Sequence, residues 1–174
     1  AFNEMIGVGG WGGRDDDFGP KIHWFEGEAR LLESPGSAMH PSKHDFEVVT
    51  RAPEHPVMKG LPEAWLHPSD EIYSRLRGPA KNVTILATAK ADLSKVSKGT
   101  ENNEPMLMDI RYGKGRVFHT TLGHCNTNDD LSVNALNCVG FIVTLQRGTE
   151  WAATGDVTQI IPEDFPRSDA VSIR

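Results

Sequence analysis

The chain has little cysteine: 174 residues contain two, Cys125 and Cys138. Their spacing does not match a zinc-type CxxC pair, and two cysteines do not define a disulfide framework. Cys138 lies on the apolar face of a predicted helix and is expected to be inert core. Cys125 follows His124, whose imidazole could activate a thiol. Because adjacent residues on an extended chain point to opposite sides, we do not expect a working Cys–His pair.

Basic charge and long apolar runs are also scarce. Lysine and arginine total 18 against 24 aspartates and glutamates, so the net charge is -6. This balance argues against nonspecific nucleic-acid binding and against docking on anionic membranes. No apolar run approaches the roughly 20 residues that span a bilayer. The sequence has no internal repeat, and its length predicts one domain with a real core.

The most informative stretch runs from Ile110 to His124. Gly113-Lys114-Gly115 puts glycines where a tight hairpin turn needs positive φ, between β-prone residues on both sides. The second strand is predicted to end by presenting His124 directly after Gly123, which allows close approach of backbone or ligand. These two residues are the first candidates for a site, although a histidine that only caps a loop is an equal alternative.

Other elements follow from apolar patterning. We expect a helix end at Phe2–Ile6, strands at Phe46–Thr50 and Val83–Ala89, and a short edge strand in IHWF, residues 22–25. A helix from about Leu131 to Gln146 presents one apolar face to the core, with Trp151 closing the same core. That face consists of Leu131, Ala135, Leu136, Val139, Ile142 and Val143.

Loops are expected between these elements. Asp15–Pro41 is a loop-rich insertion, HPVMKGLPEAW at 55–65 is a self-punctuated loop that His55 fixes, and Asp92–Glu104 is an exposed loop. The residues 1–155 form the domain, and 156–174 form a carboxyl-terminal tail expected to lie on its surface.

Two further motifs have alternative interpretations. The glycine-rich Gly7–Arg14 loop can cradle an anion, yet it lacks the phosphate-loop lysine. The simpler interpretation is a crossover that lets Trp11 and Arg14 reach a pocket and bind substrate. His40 and His44 have metal-ligand spacing for a helix, but Pro41 disfavours a helix there. Metal therefore stays undetermined, with a divalent ion held by His40, His44 and His124 as the candidate.

The segments RYGKGRVFHTTLGH (111–124), HPVMKGLPEAW (55–65) and DEIY (70–73) occur in the order and spacing of the ThuA-like (trehalose utilisation) family, which this chain resembles. The resemblance continues through 147–166 and back to 1–15, and is nearest to planctomycete-type domains. It implies an α/β, flavodoxin-like or class I glutamine amidotransferase-like doubly wound sheet. It also implies that amino-terminal strands of that fold precede this chain.

The resemblance implies a site and a substrate class. Asp70, Glu71 and Tyr73 would lie near a pocket, with His124 as acid or base and Glu71 or His44 orienting it. His44 and Gly123 would also contact substrate. The substrate would be a trehalose-type disaccharide or its keto derivative, and glutamine hydrolysis is not expected.

A noncatalytic carbohydrate-binding or interaction domain is the alternative, in which Trp11, Trp24 and Tyr73 stack on sugar rings. In both cases the partner is a small-molecule sugar, without nucleic acid or membrane insertion. Whether the protein forms a homo-oligomer, and whether it is cytoplasmic or exported, is left open.

Overall fold

The structure is a computed structural model that describes residues 1–10, 14–125 and 134–174. Within these residues, seven strands form two sheets, and three helices accompany them. In chain order the elements are α1 (Phe2–Ile6), β1 (Lys21–Phe25), β2 (Glu28–Leu32), β3 (His44–Thr50), β4 (Ala64–Asp70), β5 (Val83–Ala89), β6 (Glu104–Tyr112), β7 (Gly115–Thr120), α2 (Asn134–Asn137) and α3 (Val139–Thr154).

The main sheet has the strand order β4-β3-β5-β6-β7, and every neighbouring pair is antiparallel. The predicted hairpin is confirmed: Tyr112 pairs with Gly115 across a two-residue turn in which Gly113 has a φ of 58°. That left-handed conformation favours glycine, which explains the turn sequence. The strand predicted at Val83–Ala89 is β5, and the edge strand predicted in IHWF is β1, paired with β2.

Apolar side chains cover both faces of the main sheet. On one face Leu86, Leu107 and Trp65 pack with α3, and on the other Ile85 and Ile110 pack with residues near α1 and β1. Seven consecutive residues of β6, from Glu104 to Ile110, are buried, because this strand is enclosed on both sides. The sheet is therefore a layer of the core of a mixed α/β domain. Its strands in the described part of the chain run antiparallel, whereas the doubly wound sheet that the resemblance implies is mostly parallel.

The carboxyl-terminal region differs from the predicted single helix. Cys138 is buried but has extended backbone angles (φ -62°, ψ 125°), which separate α2 from α3, and α3 continues to Thr154. Leu136 was predicted to be core and is 36% exposed, so that assignment was wrong. Trp151 is buried in the core as predicted. Leu131 lies outside the described residues.

Two other local predictions were wrong. Ala64 and Trp65, predicted as the end of the loop at 55–65, begin β4 (Ala64–Asp70). No strand was predicted there, because Pro68 and the mixed polar sequence do not have the pattern of a strand. Glu104 was placed in an exposed loop, whereas it begins β6 with 1% of its surface exposed.

The tail at 156–174 lies against the domain. Phe165 packs on Trp65 with ring centroids 5.6 Å apart, and the Leu66 N–H donates to the Arg167 carbonyl at 2.8 Å. The tail thus covers part of the outer edge of β4. No helix in the described part of the chain is long and apolar enough to cross a membrane.

Candidate functional site

The loop that follows β7 is shaped by Gly123. This residue has a φ of 89°, and a Cβ atom placed there would lie 2.6 Å from Cζ of Phe141. Only glycine combines this conformation with so little space. The chain therefore turns sharply after Leu122 and places His124 beside the segment that follows β4.

Asp70 holds this loop in position. Its Oδ2 accepts hydrogen bonds from the Gly123 N–H at 2.7 Å and from His67 Nε2 at 2.8 Å. Its Oδ1 accepts from the N–H groups of Glu71 at 2.8 Å and His124 at 3.2 Å. Asp70 is fully buried, so its carboxylate fixes the backbone of the site and does not face a substrate.

Asp70 and His67 form a buried ion pair, and neither side chain is exposed to solvent. Burial alone would lower the pKa of His67, but the hydrogen bond to the Asp70 carboxylate and the interaction with Cys138 together outweigh it and raise the pKa to about 9. Burial would likewise raise the pKa of Asp70, but the hydrogen bonds from His67 and the two backbone amides lower it. The sequence analysis did not single out His67.

His124, Tyr73 and Glu71 come together at the surface of this buried pair. Tyr73 Oη and His124 Nδ1 are 2.8 Å apart, and His124 Nδ1 is 3.5 Å from Glu71 Oε2. His40 Nδ1 lies 3.3 Å from the same Glu71 oxygen, and its ring packs on Tyr73 at a centroid distance of 5.4 Å. The structure thus brings three predicted catalytic residues and one metal candidate into one cluster.

The surroundings of Tyr73 favour the protonated form of its phenol. Burial raises the pKa of Tyr73, and the negative charges of Glu71 and Asp70 raise it further. Glu71 Oε2 is buried and, although near both imidazoles, accepts no well-aligned hydrogen bond.

A pocket of about 220 Å³ opens beside this cluster. It is lined by polar or ionisable residues, leucines and glycines: Gly9, Gly10, Tyr73, Leu76, His119, Thr120, Thr121, Leu122, Gly123 and His124. The described glycines of the loop after α1, Gly9 and Gly10, therefore border the same cavity as Gly123.

His119 is a pocket residue that the sequence analysis missed. Its Nδ1 lies 2.9 Å from the Ile6 carbonyl, and because a carbonyl only accepts, Nδ1 carries the proton. Burial lowers the pKa of His119, and the charge of Arg14 lowers it further, so the imidazole is neutral and Nε2 carries a lone pair. The signal was present in HTTLGH, where two histidines flank the end of β7.

The remaining predicted site residues lie farther from the pocket lining. Arg14 is buried and donates to the Arg77 carbonyl at 3.0 Å and to Asn3 Oδ1 at 2.7 Å, which makes it a support for the wall near His119. His44 pairs with Asp70 across β3 and β4, and its Nδ1 is 3.0 Å from the Ser42 carbonyl. Trp11 lies outside the described residues.

Metal ligation was left undetermined with three histidine candidates. His40 and His124 share Glu71, whereas His44 contacts Ser42 and Phe46. Across residues 1–10, 14–125 and 134–174, no group of three or more histidine, cysteine or acidic side chains is arranged to hold a metal ion.

Comparison with known proteins places this geometry in context. The family model of ThuA, trehalose utilisation, matches residues 7–152. The crystal structure of a protein described as ThuA-like from Parabacteroides merdae superposes with a TM-score of 0.91 at 42% sequence identity, covering 99% of this chain and 61% of that one. The chain thus spans about three fifths of the length of that relative. No curated protein matches the chain.

Proposed function

Since this chain belongs to the ThuA, or trehalose utilisation, family, we propose that the pocket beside β7 binds a sugar and that His124 performs acid–base chemistry on it. Family membership supports a carbohydrate-related role. The α/β fold expected from the sequence agrees with the ThuA-like relative, so the fold and the family are consistent. The chemistry and the substrate are our proposal.

The observation that carries the proposal is the contact of His124 Nδ1 with Tyr73 Oη at 2.8 Å, next to Glu71 at 3.5 Å. A general acid or base needs a partner that fixes its ring and stabilises its charged form. Tyr73 fixes the ring, and Glu71 stabilises an imidazolium when His124 holds a proton. The hydrogen bonds of Asp70 to the His124 backbone keep the residue in this position.

His119 supplies the second half of the chemistry. Because its Nδ1 proton is committed to the Ile6 carbonyl, Nε2 can accept a proton from a sugar hydroxyl. We assign His119 as the base and His124 as the acid. His119 and His124 line the same pocket, so one can take a proton from a bound sugar while the other gives one to it.

The noncatalytic alternative predicts sugar binding without turnover. Of the aromatic residues assigned to it, Tyr73 lines the pocket, while Trp24 packs on the Arg51 guanidinium at 5.7 Å and is outside the lining. Of the two described residues of that set, one therefore lines the pocket, and one aromatic ring gives a weaker stacking platform than two. The cluster around His124 therefore favours the catalytic proposal.

The test compares Tyr73→Phe and His124→Gln with Tyr112→Phe, whose ring is at the far end of the hairpin and 39% exposed. Trehalose and a keto derivative of it serve as probes, with turnover followed by product analysis and binding by calorimetry. We expect His124→Gln to lower turnover by about 100-fold or more with affinity retained, because acid–base catalysis contributes roughly 10²–10⁴. Tyr112→Phe should match the wild type.

Two results would contradict the proposal. If His124→Gln left turnover intact while weakening sugar binding, the residue would be a binding residue. If the wild type bound the sugars without converting them, the noncatalytic alternative would be correct.

A further inference from the structure

A second cavity lies beside the β1–β2 sheet. It has a volume of about 450 Å³, and its described lining residues do not overlap with those of the pocket beside β7. Its polar side chains are Lys21, His23, Arg75, Thr100, Glu101, Asn102 and Glu104, and Ile22, Leu32 and Pro35 complete it. No predicted site residue is among them, and the proposed sugar chemistry does not use this cavity.

Two cations face each other in this cavity. Lys21 is only 8% exposed, and a Cβ atom built on Gly36 would lie 3.6 Å from its Nζ and 3.9 Å from Nη1 of Arg75. The two positive groups therefore border the same small space. Burial lowers the pKa of Lys21, and the charges of Arg77 and Arg75 lower it further. Like charges held this close favour an anion between them.

Their hydrogen-bonding capacity is only partly used. Lys21 Nζ donates to Ser34 Oγ at 3.1 Å and to the Pro35 carbonyl at 2.5 Å, which leaves one of its three donors. The Arg75 guanidinium has five donors and no protein acceptor within the described residues. Arg77, in contrast, uses its guanidinium on the carbonyls of Ser34, Gly19 and Gly36 and on Asp16.

The carboxylate of Glu104 attracts both cations and offsets part of their charge. Glu104 accepts hydrogen bonds from Thr100 Oγ1 at 2.5 Å and from the Arg75 backbone N–H at 3.1 Å. Burial raises the pKa of Glu104 to about 7, so the group is close to half protonated at neutral pH. Glu101 is exposed at the rim. Neither Lys21 nor Arg75 forms a salt bridge with a carboxylate in the described part of the chain.

We propose that this cavity is a binding site for a small anionic ligand, whose carboxylate or phosphate group is held by the Arg75 guanidinium and the Lys21 ammonium. The planar guanidinium matches two oxygens of either group, and the ammonium adds a point charge. Leu32, which is 46% exposed, and Pro35 line the same cavity and offer apolar contact for the rest of the ligand. The backbone N–H of Arg75 bonded to Glu104 fixes the start of the arginine side chain.

The experiment measures binding to the full chain by calorimetry in chloride buffer. Inorganic phosphate and glucose 6-phosphate test the phosphate source, glucuronate tests the carboxylate source, and glucose is the neutral comparison. We expect saturable binding of at least one anion that depends on Arg75, whereas any binding of glucose in the pocket beside β7 should be the same in the wild type and in Arg75→Gln. Arg75→Gln should weaken it about tenfold or more, because a charge-assisted bidentate contact is lost. Lys21→Met, which keeps the stem, should weaken it as well.

The control is Arg167→Gln, which removes the same charge from a side chain that is 76% exposed on the tail. It should bind like the wild type, and so should His124→Gln, which separates this site from the sugar pocket. Circular dichroism and the thermal midpoint verify that Arg75→Gln is folded. Anion binding absent from the wild type, or equal in Arg75→Gln and Arg167→Gln, would overturn the proposal.

Discussion

Asp70→Asn is the substitution that tests most directly how the candidate site is held together. The carboxylate accepts four hydrogen bonds: from His67 Nε2 and the backbone N–H groups of Glu71, Gly123 and His124. An asparagine keeps one acceptor oxygen and turns the other position into a donor that faces N–H groups. It also removes the counter-charge of a histidine with no exposed surface.

The magnitude follows from the pKa of His67. A rise from 6.5 to about 9 corresponds to about 3 kcal/mol of stability, at 1.36 kcal/mol per pKa unit, and Asp70 supplies it together with Cys138. This agrees with the roughly 3–5 kcal/mol lost when one partner of a buried ion pair is removed. We expect Asp70→Asn to lower the free energy of unfolding by about 3 kcal/mol at pH 6.5.

The pH dependence has a definite sign. Because the folded pKa of His67 is raised, its contribution is complete below pH 6.5 and is lost as the pH rises through about 9. Because the folded pKa of Asp70 is lowered, its contribution is complete above about pH 3.8 and is lost only as the pH falls through the lower folded value. The penalty of Asp70→Asn should therefore be smaller at pH 10, where the ion pair with His67 is lost and only the hydrogen bonds that the Asp70 carboxylate accepts remain.

Urea denaturation of both proteins at pH 6.5, 8 and 10 measures these differences. Asp17→Asn, an exposed aspartate on the 3₁₀ turn at 16–18, is the control and should stay within about 0.5 kcal/mol of the wild type. A penalty below about 1 kcal/mol at pH 6.5, or one that does not change with pH, would refute the reasoning.

Three further substitutions test other parts of the structure. Gly123→Ala should lower the free energy of unfolding, measured by thermal denaturation, by about 2–4 kcal/mol, because Gly123 has a φ of 89° and its Cβ would contact Phe141. Gly113→Ala, whose Cβ would meet no atom within 4 Å, should cost only about 1 kcal/mol, and equal losses in the two variants would contradict the steric argument. Arg147→Met removes the donor to four backbone carbonyls, those of residues 56, 57, 59 and 159, and should lower the free energy of unfolding in urea by about 3 kcal/mol. A loss under about 1 kcal/mol would show that Arg147 does not stabilise these loops. Because the pKa of Glu104 is raised to about 7 in the folded protein, the free energy of unfolding of the wild type should fall by about 3 kcal/mol between pH 4.5 and 7. Glu104→Gln should abolish that fall, and the same fall in the variant would contradict the role of Glu104.

The fold was predictable where local patterns are strong. The hairpin around Gly113 and the strand at 83–89 follow from turn chemistry and short apolar runs, both of which act over a few residues. β4 was missed, because Pro68 and the surrounding polar residues are tolerated only at the edge of the sheet, a position that no local pattern indicates. The predicted helix began at about Leu131, before the observed start of α3 at Val139. The sequence does not show this break, because the extended backbone at Cys138 depends on tertiary packing.

The residues at the surface of the candidate site were predicted from the sequence, whereas most of the buried residues that position them were not. Tyr73 and His124 lie 51 residues apart, and their proximity came from the family resemblance. His67 and His119 were missed because they occupy strands, where a single histidine looks like any other side chain. Asp70 was predicted as a catalytic carboxylate, but its burial suits it to positioning the loop. The metal, the substrate and the oligomeric state remain predictions.

The way the tail meets β4 bears on self-association. Exposed sheet edges offer unpaired N–H and C=O groups to a strand of another molecule and so seed aggregation. Here the Leu66 N–H is already committed to Arg167, and Pro68 has no N–H to offer. A second chain therefore cannot easily add a strand beside β4. Pro68, which made β4 difficult to predict from the sequence, also protects this edge of the folded protein from fibril growth.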